Sequence, residues 1–596
     1  MTVVRRLGRF RDAVLALDGR GLLPGARPRR RGGGQATKKG RPSLAEVARG
    51  GGWCEPGLEE LLVELDLALR AGPRPASVAV FVRDGSLPWH ELVRGSFPRA
   101  RVVVVDPVRT DHDSLHADLA AAGRLHAIVD DTLAGDARMP ALAEVFLHLR
   151  PGGVLLVRRG ELAPGQDPDP WTALAREVDV RGPGTVASDR GLDWPVFPEA
   201  VGEVRPAPGH VALVNRVRAF AKLREQQMDS VIEQRASSKA QVLTTLPATE
   251  LTARCELRQN AEARDSSMPE HYTVPAMRLR RYRNVLCAPR QVAVQGNVLL
   301  PDTYRFNAAP ALQNRFAPDL GCDFADLRVP RARVRAAKWL EGAYFYLDSE
   351  WTHHFGHAMT EQMSRLWAAS RAREEEPGLK ALVSRRRSGT GLAEYEREIF
   401  GAAGFAESDI VLHHRPVRVR TLLAASPMWV LPTHVHPDVR DLWRDLGGRI
   451  AARAGHLEHA RRIFCSRRRS RRSCHNLSEV EELFRKNGFA VVYPEDLAFV
   501  DQVEMFRQAE VIAGFAGSAM FTSLFCPTPR HLIVLGPTSY PSRNEYMICA
   551  AVGHRLDHVW SEPHPQEAAG DLPQYAGFRF DFAREGVFLR QILAEL

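Results

Sequence analysis

The chain has 596 residues, 44% of them hydrophobic and 26% charged, with a formal net charge of +10. That length accommodates several hydrophobic cores, and the composition is that of a soluble globular protein, which excludes fibrous and wholly disordered classes. No run approaches the roughly eighteen consecutive apolar residues of a spanning helix, and the eight cysteines show neither Cys-x-x-Cys pairing nor zinc spacing. A reducing, cytoplasmic setting is expected from that cysteine usage. The N-terminal segment 1–45 is basic but lacks an uninterrupted apolar core, so it does not read as a secretory signal. Within it, Arg27 to Arg41 is a low-complexity tract expected to be disordered. Its plain reading is a solvated linker. Its functional reading is peripheral contact with the inner membrane face, and no nucleic-acid partner is expected.

Residues 46–218 alternate apolar strands with helices. Ser77–Val82, Arg101–Asp106, His126–Asp130 and Gly153–Val157 read as strands, with helices such as Ser114–Ala122 and Met139–Arg150 between them. The alternation predicts a doubly wound sheet. The run Leu149 to Val157, with Pro151, Gly152 and Gly153 inside it, resembles the late strand of class I methyltransferases. Asp106 falls where that resemblance implies a ribose-binding carboxylate. The first strand, however, runs into Arg83-Asp-Gly-Ser-Leu-Pro88, without the glycines that let a backbone approach a cofactor. The expectation is a degenerate Rossmann-like domain serving assembly or acceptor recognition. The alternative is S-adenosylmethionine-dependent methyl transfer. Ala219 to Arg235 reads as a charged connecting helix within a linker, 219–241.

Gly342–Leu347 reads as a strand that leads into a helix near Trp351. At 3.6 residues per turn, His354, His357, Glu361 and Arg365 fall within one quarter of that helix surface. Phe355, Ala358, Met359, Met363 and Leu366 form an apolar face beside them. Thr352 is the expected N-cap. Gly356 in the first turn costs about 1 kcal/mol against alanine, a cost that suits close approach of an anionic group to the helix start. The plain reading of the stripe is a solvated face. Its functional reading is proton transfer by a histidine or the glutamate.

From Arg461 to Ser539 strand and helix signals alternate again. Arg462–Ser466, Phe489–Tyr493, Val511–Gly514 and His531–Leu535 are the strands, and Asn476-Leu-Ser-Glu479 is a capping pattern for the helix Leu477–Lys486. Gly517-Ser518 is expected to open a further helix. A parallel sheet follows, and ligands of such sheets bind beyond the carboxyl ends of the strands. Ser466-Arg467, Pro494-Glu495, Gly514 to Ser518 and Gly536 to Thr538 gather at those ends. Arginine, glycine-bearing amides and a carboxylate are equipment for a nucleoside diphosphate.

These segments also carry a resemblance. His-Phe-Gly-His (354–357), Glu361 and Ser-Arg-Leu-Trp (364–367) resemble the first signature of bacterial family-61 glycosyltransferases. Ser466 to Phe525 resembles the second, with Ser-Arg, Gly-Phe-x-x-x-x-Pro-Glu, Asp-Gln, Ala-Gly-x-x-Gly-Ser-Ala and a closing Leu-Phe in order. Asp501-Gln502 departs mildly from the usual Glu-Gln, and Ala516 and Phe521 stand where histidines are common. The resemblance is clear over roughly Tyr344–Ser539 and weaker back to about Val274, where Arg281–Leu286 and Gly296–Pro301 look like early strands.

The resemblance implies an α/β fold of two Rossmann domains (GT-B type), 242–430 and 431–596, with the additional N-terminal Rossmann-like, doubly wound domain in front. It implies inverting transfer from a UDP-linked nucleotide-sugar to a saccharide or glycoconjugate hydroxyl, in polysaccharide or glycoconjugate biosynthesis. His354, His357 and Glu361 are the candidates for the base. Arg365, Ser466, Arg467, Glu495, Gln502, Gly514, Gly517 and Ser518 are the candidates for donor binding. No Asp-x-Asp motif lies in the transferase part, since Asp111-His-Asp113 and Asp167-Pro-Asp169 both precede it. Metal-independent transfer with no cofactor beyond the nucleotide-sugar is expected. The two missing histidines keep open a non-catalytic nucleotide-sugar-binding protein.

Overall fold

Runs of β-branched and aromatic residues build three large sheets, each covered by helices whose apolar stripes supply the cores. The computed structural model describes residues 41–596 except 54, 56, 134–138, 160–173, 177, 179–196, 208, 235–238, 261–267, 305–313, 322, 456–459, 469–471 and 571. The chain divides into Met1–Pro42 and Ser43–Leu596, and the second unit holds everything that follows. Most of the basic tract at Arg27 to Arg41, and the Asp167-Pro-Asp169 motif, lie outside the described residues. Ordered chain begins earlier than expected. Ser43 accepts from the Glu46 amide in a capping box and opens the helix Leu44–Gly50.

The first sheet has four parallel strands, in the order Arg101–Val105, Ser77–Phe81, Leu125–Asp130 and Leu149–Arg158. An antiparallel hairpin, Val201–Ala207 and His210–Asn215, completes it. The doubly wound expectation is met, with one boundary moved. The helix Met139–Phe146 stops before Arg150, and the strand already begins at Leu149. Pro151 disfavours a helical Arg150, which accounts for the shift. The helix Leu58–Arg70 buries Leu58, Leu61, Leu62, Leu65 and Leu69, a spacing that keeps one face on the sheet.

The second sheet is mixed and has eleven strands. Its parallel part orders Val417–Ala425, Lys338–Tyr346, Lys380–Ser384 and Ile410–His413. The long strand Met277–Ala288 lies antiparallel to Val417–Ala425 and carries Ala240–Leu246 and a hairpin on its other side. This half is therefore not the plain Rossmann domain expected of 242–430. Nor is 219–241 a linker. Phe220–Lys222 is a strand of this sheet. The helix Glu225–Gln234 buries Met228, Val231 and Ile232, and its Glu225 pairs with the buried Arg280. An apolar stripe of three residues among charged ones was too sparse a signal.

The third sheet is wholly parallel. Its order is Glu256–Gln259, Arg555–Ser561, His531–Pro537, Val511–Phe515, Arg462–Cys465 and Ala490–Val492. The edge strand Glu256–Gln259 comes from the preceding segment, so the boundary at 430/431 does not separate two closed units. Arg258 fastens it to Asp557 through bonds of 2.6 and 2.8 Å. The chain leaves Arg462–Cys465 first to one side and then to the other. The topological switch therefore falls between the ends of Arg462–Cys465 and Val511–Phe515, where ligands of open parallel sheets bind. Among the described residues no helix is long and apolar enough to cross a membrane.

Candidate active site

Arg467 stands at that switch, two residues beyond Cys465. Its Nη2 donates to the Ala516 carbonyl at 3.3 Å, and its Cζ lies 5.1 Å from the Phe515 ring centroid. Burial, and then the neighbouring Arg472, lower its pKa to about 10. Gly517 lies directly against these cations. A Cβ there would meet Arg472 Nη2 at 2.9 Å and Arg467 Nη1 at 3.7 Å, and φ is +143°. The positive φ favours glycine, whereas the Arg472 guanidinium is the end of a flexible side chain that can move aside. The Gly517 amide donates to Glu545 Oε1 at 2.6 Å, so it is engaged by the protein itself and is not an open phosphate donor as expected. Glu545 is 1% exposed. Burial raises its pKa, opposed by amide hydrogen bonds and by Arg472 and Arg467. Tyr540 completes the cluster, its ring centroid 4.1 Å from Arg472 Cζ.

Several donor-binding candidates have other duties. The Ser466 hydroxyl donates to Glu481 Oε1 at 2.6 Å, and Tyr493 donates to the same oxygen at 2.7 Å, so Ser466 is turned into the sheet. Gly514 is a packing position, since a Cβ there would lie 2.6 Å from Met520 Sδ and 2.9 Å from the Cys465 carbonyl. Gln502 donates to the Leu497 carbonyl at 3.0 Å and closes the entry to its own helix, Phe499–Gln508. Glu495 is exposed at the strand end and accepts from the Arg468 amide at 2.8 Å. Arg365 is 3% exposed, donates to the Ala425 carbonyl at 2.8 Å and lies 3.9 Å from Asp302. It braces the second sheet and is no donor ligand. Burial raises Asp302 to about 6.

Arg365 leaves the stripe because the helix changes pitch. One α turn, Phe355–His357, passes into a π turn, Ala358–Gln362, then a 3₁₀ segment, Met363–Ala368, before α geometry resumes at Ala369–Glu375. Such π insertions gather at functional sites. The N-cap is His354, with no side-chain cap bond, and Thr352 is buried upstream. Across the junction of the α and π turns, His357 Nδ1 and Glu361 Oε1 are 3.0 Å apart. Trp351 stacks on His357 with centroids 5.5 Å apart and planes 9° from parallel, while His354 meets it edge-on at 4.7 Å. The exposed His354 thus lies beside the pair.

The close neighbour of Gly356 is protein. A Cβ there would lie 3.1 Å from Phe521 Cε2, 3.2 Å from Ser518 Cβ and 3.5 Å from His354 Cε1. This corrects the expectation of an approaching anion. The same contact brings His354 and Ser518 to one glycine, so the helix that carries the His357–Glu361 pair meets the Gly517-Ser518 turn beside the arginine cluster. Asp348 fixes the loop that leads there, accepting from the amides of Gln291 at 3.0 Å, Ser349 at 2.8 Å and Ser384 at 3.1 Å. The sequence reading missed Asp348, Arg472, Tyr540 and Glu545. The Arg-rich run at 467–472 was the only local hint of any of them.

At the corresponding edge of the first sheet the crevice is filled. Trp89 Nε1 donates to Asp131 Oδ2 at 2.7 Å, and Arg158 donates to Asp131 Oδ1 at 2.7 Å and also pairs with Glu55. Asp106 accepts from the Val108 amide at 3.0 Å and pairs with Arg109.

A sequence profile of the Glycosyltransferase 61 family matches residues 355–533, from the π-turn helix to the third sheet. No curated protein matches the chain. Among solved structures, the MycE methyltransferase from the mycinamycin biosynthetic pathway, in complex with Mg and SAH, is similar at 15% identity, covering 30% of this chain and 55% of that one, with a TM-score of 0.24. The same enzyme with Mg, SAH and mycinamycin VI is similar at 13% identity over 30% and 55% of the two chains, with a TM-score of 0.23. The chain spans about half the length of these structures, and a likeness this low carries no argument here. The sequence match lies on the edge just described, so residues 355–533 of this chain are similar to the Glycosyltransferase 61 family across that edge.

Proposed function

We propose that the chain is an inverting glycosyltransferase that moves a sugar from a UDP-linked donor to a saccharide or glycoconjugate hydroxyl without a metal ion. The observation that carries this reading is the 3.0 Å His357–Glu361 pair beside Ser518 and the arginine cluster. A proton on His357 Nδ1 shared with Glu361 leaves Nε2 as an acceptor, the arrangement of an oriented general base. Nε2 takes the acceptor hydroxyl proton as that oxygen attacks the anomeric carbon. The bond from that carbon to the diphosphate oxygen breaks, and the leaving charge falls toward Arg467 and Arg472. Preorganised cations at the position of developing charge lower the barrier. Glu545 faces the same arginines, with burial raising its pKa and the amide bonds and both cations opposing that shift.

For the N-terminal domain we propose assembly or acceptor recognition, because Trp89 and Arg158 occupy the crevice where a cofactor would lie. The cytoplasm is the proposed location, on the cysteine usage. The test is a panel of nucleotide-sugars read by thermal shift and by nucleotide release. A bound donor present at a hundred times Kd stabilises by about 2.7 kcal/mol. No shift and no turnover with any UDP-sugar would reject the donor assignment.

A further inference from the structure

A second cationic site lies far from the donor edge, where the chain of the first sheet passes into the second. The segment 216–220 forms one wall and the segment 326–334 the other, enclosing a groove of about 720 Å³. That volume is in the range of small-molecule sites. Arg418, the second residue of the strand Val417–Ala425, lies near the groove at the amino-terminal ends of the parallel strands, whereas His357 and Glu361 lie beyond their carboxyl ends.

The charge here is only partly compensated, with the carboxylates of Glu199 and Asp326 in the lining against the larger number of arginines. Among the described residues, no carboxylate forms an ion pair with Arg218, Arg328, Arg331, Arg335 or Arg418. Burial lowers the Arg218 pKa, and Arg331, Arg418 and Arg335 lower it further, with only Asp326 opposing them. Arg124, behind the same wall, is lowered to about 10 by burial and by Arg218. The guanidinium carbons of Arg124 and Arg218 lie 4.8 and 5.1 Å from the centroid of one ring, Phe220. Guanidinia pressed together in this way are relieved by an anion, and phosphate accepts their forked bonds in pairs. The floor is apolar, made by Phe220, Leu320, Leu327, Val329 and Val334.

We propose that this groove binds a phosphate-bearing anion, with its arginine rim on the phosphate and its apolar floor under whatever the phosphate carries. The inference is independent of the glycosyl-transfer reading, since no residue is shared with that site. Two sources share this chemistry, a lipid phosphate and a soluble phosphate ester or diphosphate.

The test is calorimetry on the full chain at low salt, with inorganic pyrophosphate and with decyl phosphate below its micellar concentration. It is performed in the Arg467→Ala background, so that binding at the donor edge is weakened, and the R331E comparison isolates the groove. Binding of at least one probe is expected. Removing two charge-assisted contacts with R218A/R331A should weaken it by about tenfold or more. Because Arg331 is exposed, R331E probes the same rim without risk to folding, and it should weaken binding further. Tighter binding of decyl phosphate assigns the site to a lipid phosphate, and equal or tighter binding of pyrophosphate assigns it to a soluble one. Failure of both probes to bind, or affinity unchanged by R331E, overturns the proposal.

Discussion

Replacing Glu361 with glutamine tests the proposed base directly, because the change removes a charge and almost no volume. In the parent, Glu361 Oε1 lies 3.0 Å from His357 Nδ1, and the two side chains are 15% and 17% exposed. So little water reaches the pair that the bond belongs with charge-assisted hydrogen bonds, about 1.5–3 kcal/mol. At roughly 1.4 kcal/mol per factor of ten, that alone is about 10- to 150-fold in rate if it acts only in the transition state. Glutamine also presents an amide that can fix the opposite tautomer, taking Nε2 out of use as acceptor. The expected loss in kcat is therefore about a hundredfold or more, with donor KM nearly unchanged. His357→Ala should lose at least as much, and the double variant no more than the worse single one, as for groups acting as a unit. His354→Ala should cost less, since Glu361 is the group paired at His357 Nδ1 while His354 meets the imidazole edge-on. The assay is nucleotide release under saturating donor, with donor affinity measured separately. If both single variants stay within a fewfold of the parent, the pair is not the base.

Arg467→Ala should weaken binding of the nucleoside diphosphate and of the whole donor by about 1.5–3 kcal/mol in calorimetry while leaving Tm nearly unchanged, and unaltered affinity would remove Arg467 from the site. Glu545 has a folded pKa above its ordinary 4.5 because burial disfavours its charge, so the folded state holds the extra proton. Its contribution is whole below about pH 4.5 and is lost as pH rises through the folded value; E545Q should flatten that part of the Tm–pH curve, and an unchanged curve would contradict the assignment. Gly356→Ala should destabilise by about 1–3 kcal/mol and lower kcat, because its Cβ would press on Phe521 and Ser518 across the shared edge, and an alanine tolerated on both measures would contradict that packing. The full chain should give no calorimetric signal with S-adenosylmethionine while Trp89 and Arg158 hold Asp131, and clear binding would reverse the reading of the first domain.

The parts of this molecule legible in the sequence are those in which local pattern and tertiary role agree. Ile463 to Cys465, Val511 to Phe515 and Leu532 to Leu535 are apolar runs bounded by turn residues, and they became buried parallel strands where expected. The His357–Glu361 spacing was also local and survived. Arg365 did not, because a π turn followed by a 3₁₀ segment rotates it into the core, and no 3.6-residue pattern records that change. Ser466 and Gln502 sit at the right edge, but a strand end gives no information on whether a side chain points outward. Glu545 and Tyr540 enter the cluster from loops and helices beyond the matched segments, so only three-dimensional proximity shows them. The strand Phe220–Lys222 has three residues, too few for any periodicity to register.

The two histidines missing from the family pattern bear on how the site divides its work. Ala516 is fully buried, and a Cβ added at Gly536 would come within 2.7 Å of its own Cβ, so position 516 is closed by the neighbouring strand. An imidazole there would have to displace Gly536 or the backbone that carries Gly517. Phe521 is spent on Gly356 and seals the seam between the second and third sheets with apolar contact. As they stand, Ala516 and Phe521 present no proton acceptor. The third sheet therefore supplies fixed charge, through Arg467 and Arg472, while the groups suited to exchanging a proton, His354, His357 and Glu361, all lie across the seam. A base on the helix and cations on the strand ends must stay in register for one displacement, and the shared apolar core, with the Gly356–Phe521 contact at its edge, lies between them. That makes the apolar seam as necessary to the proposed chemistry as the residues it aligns.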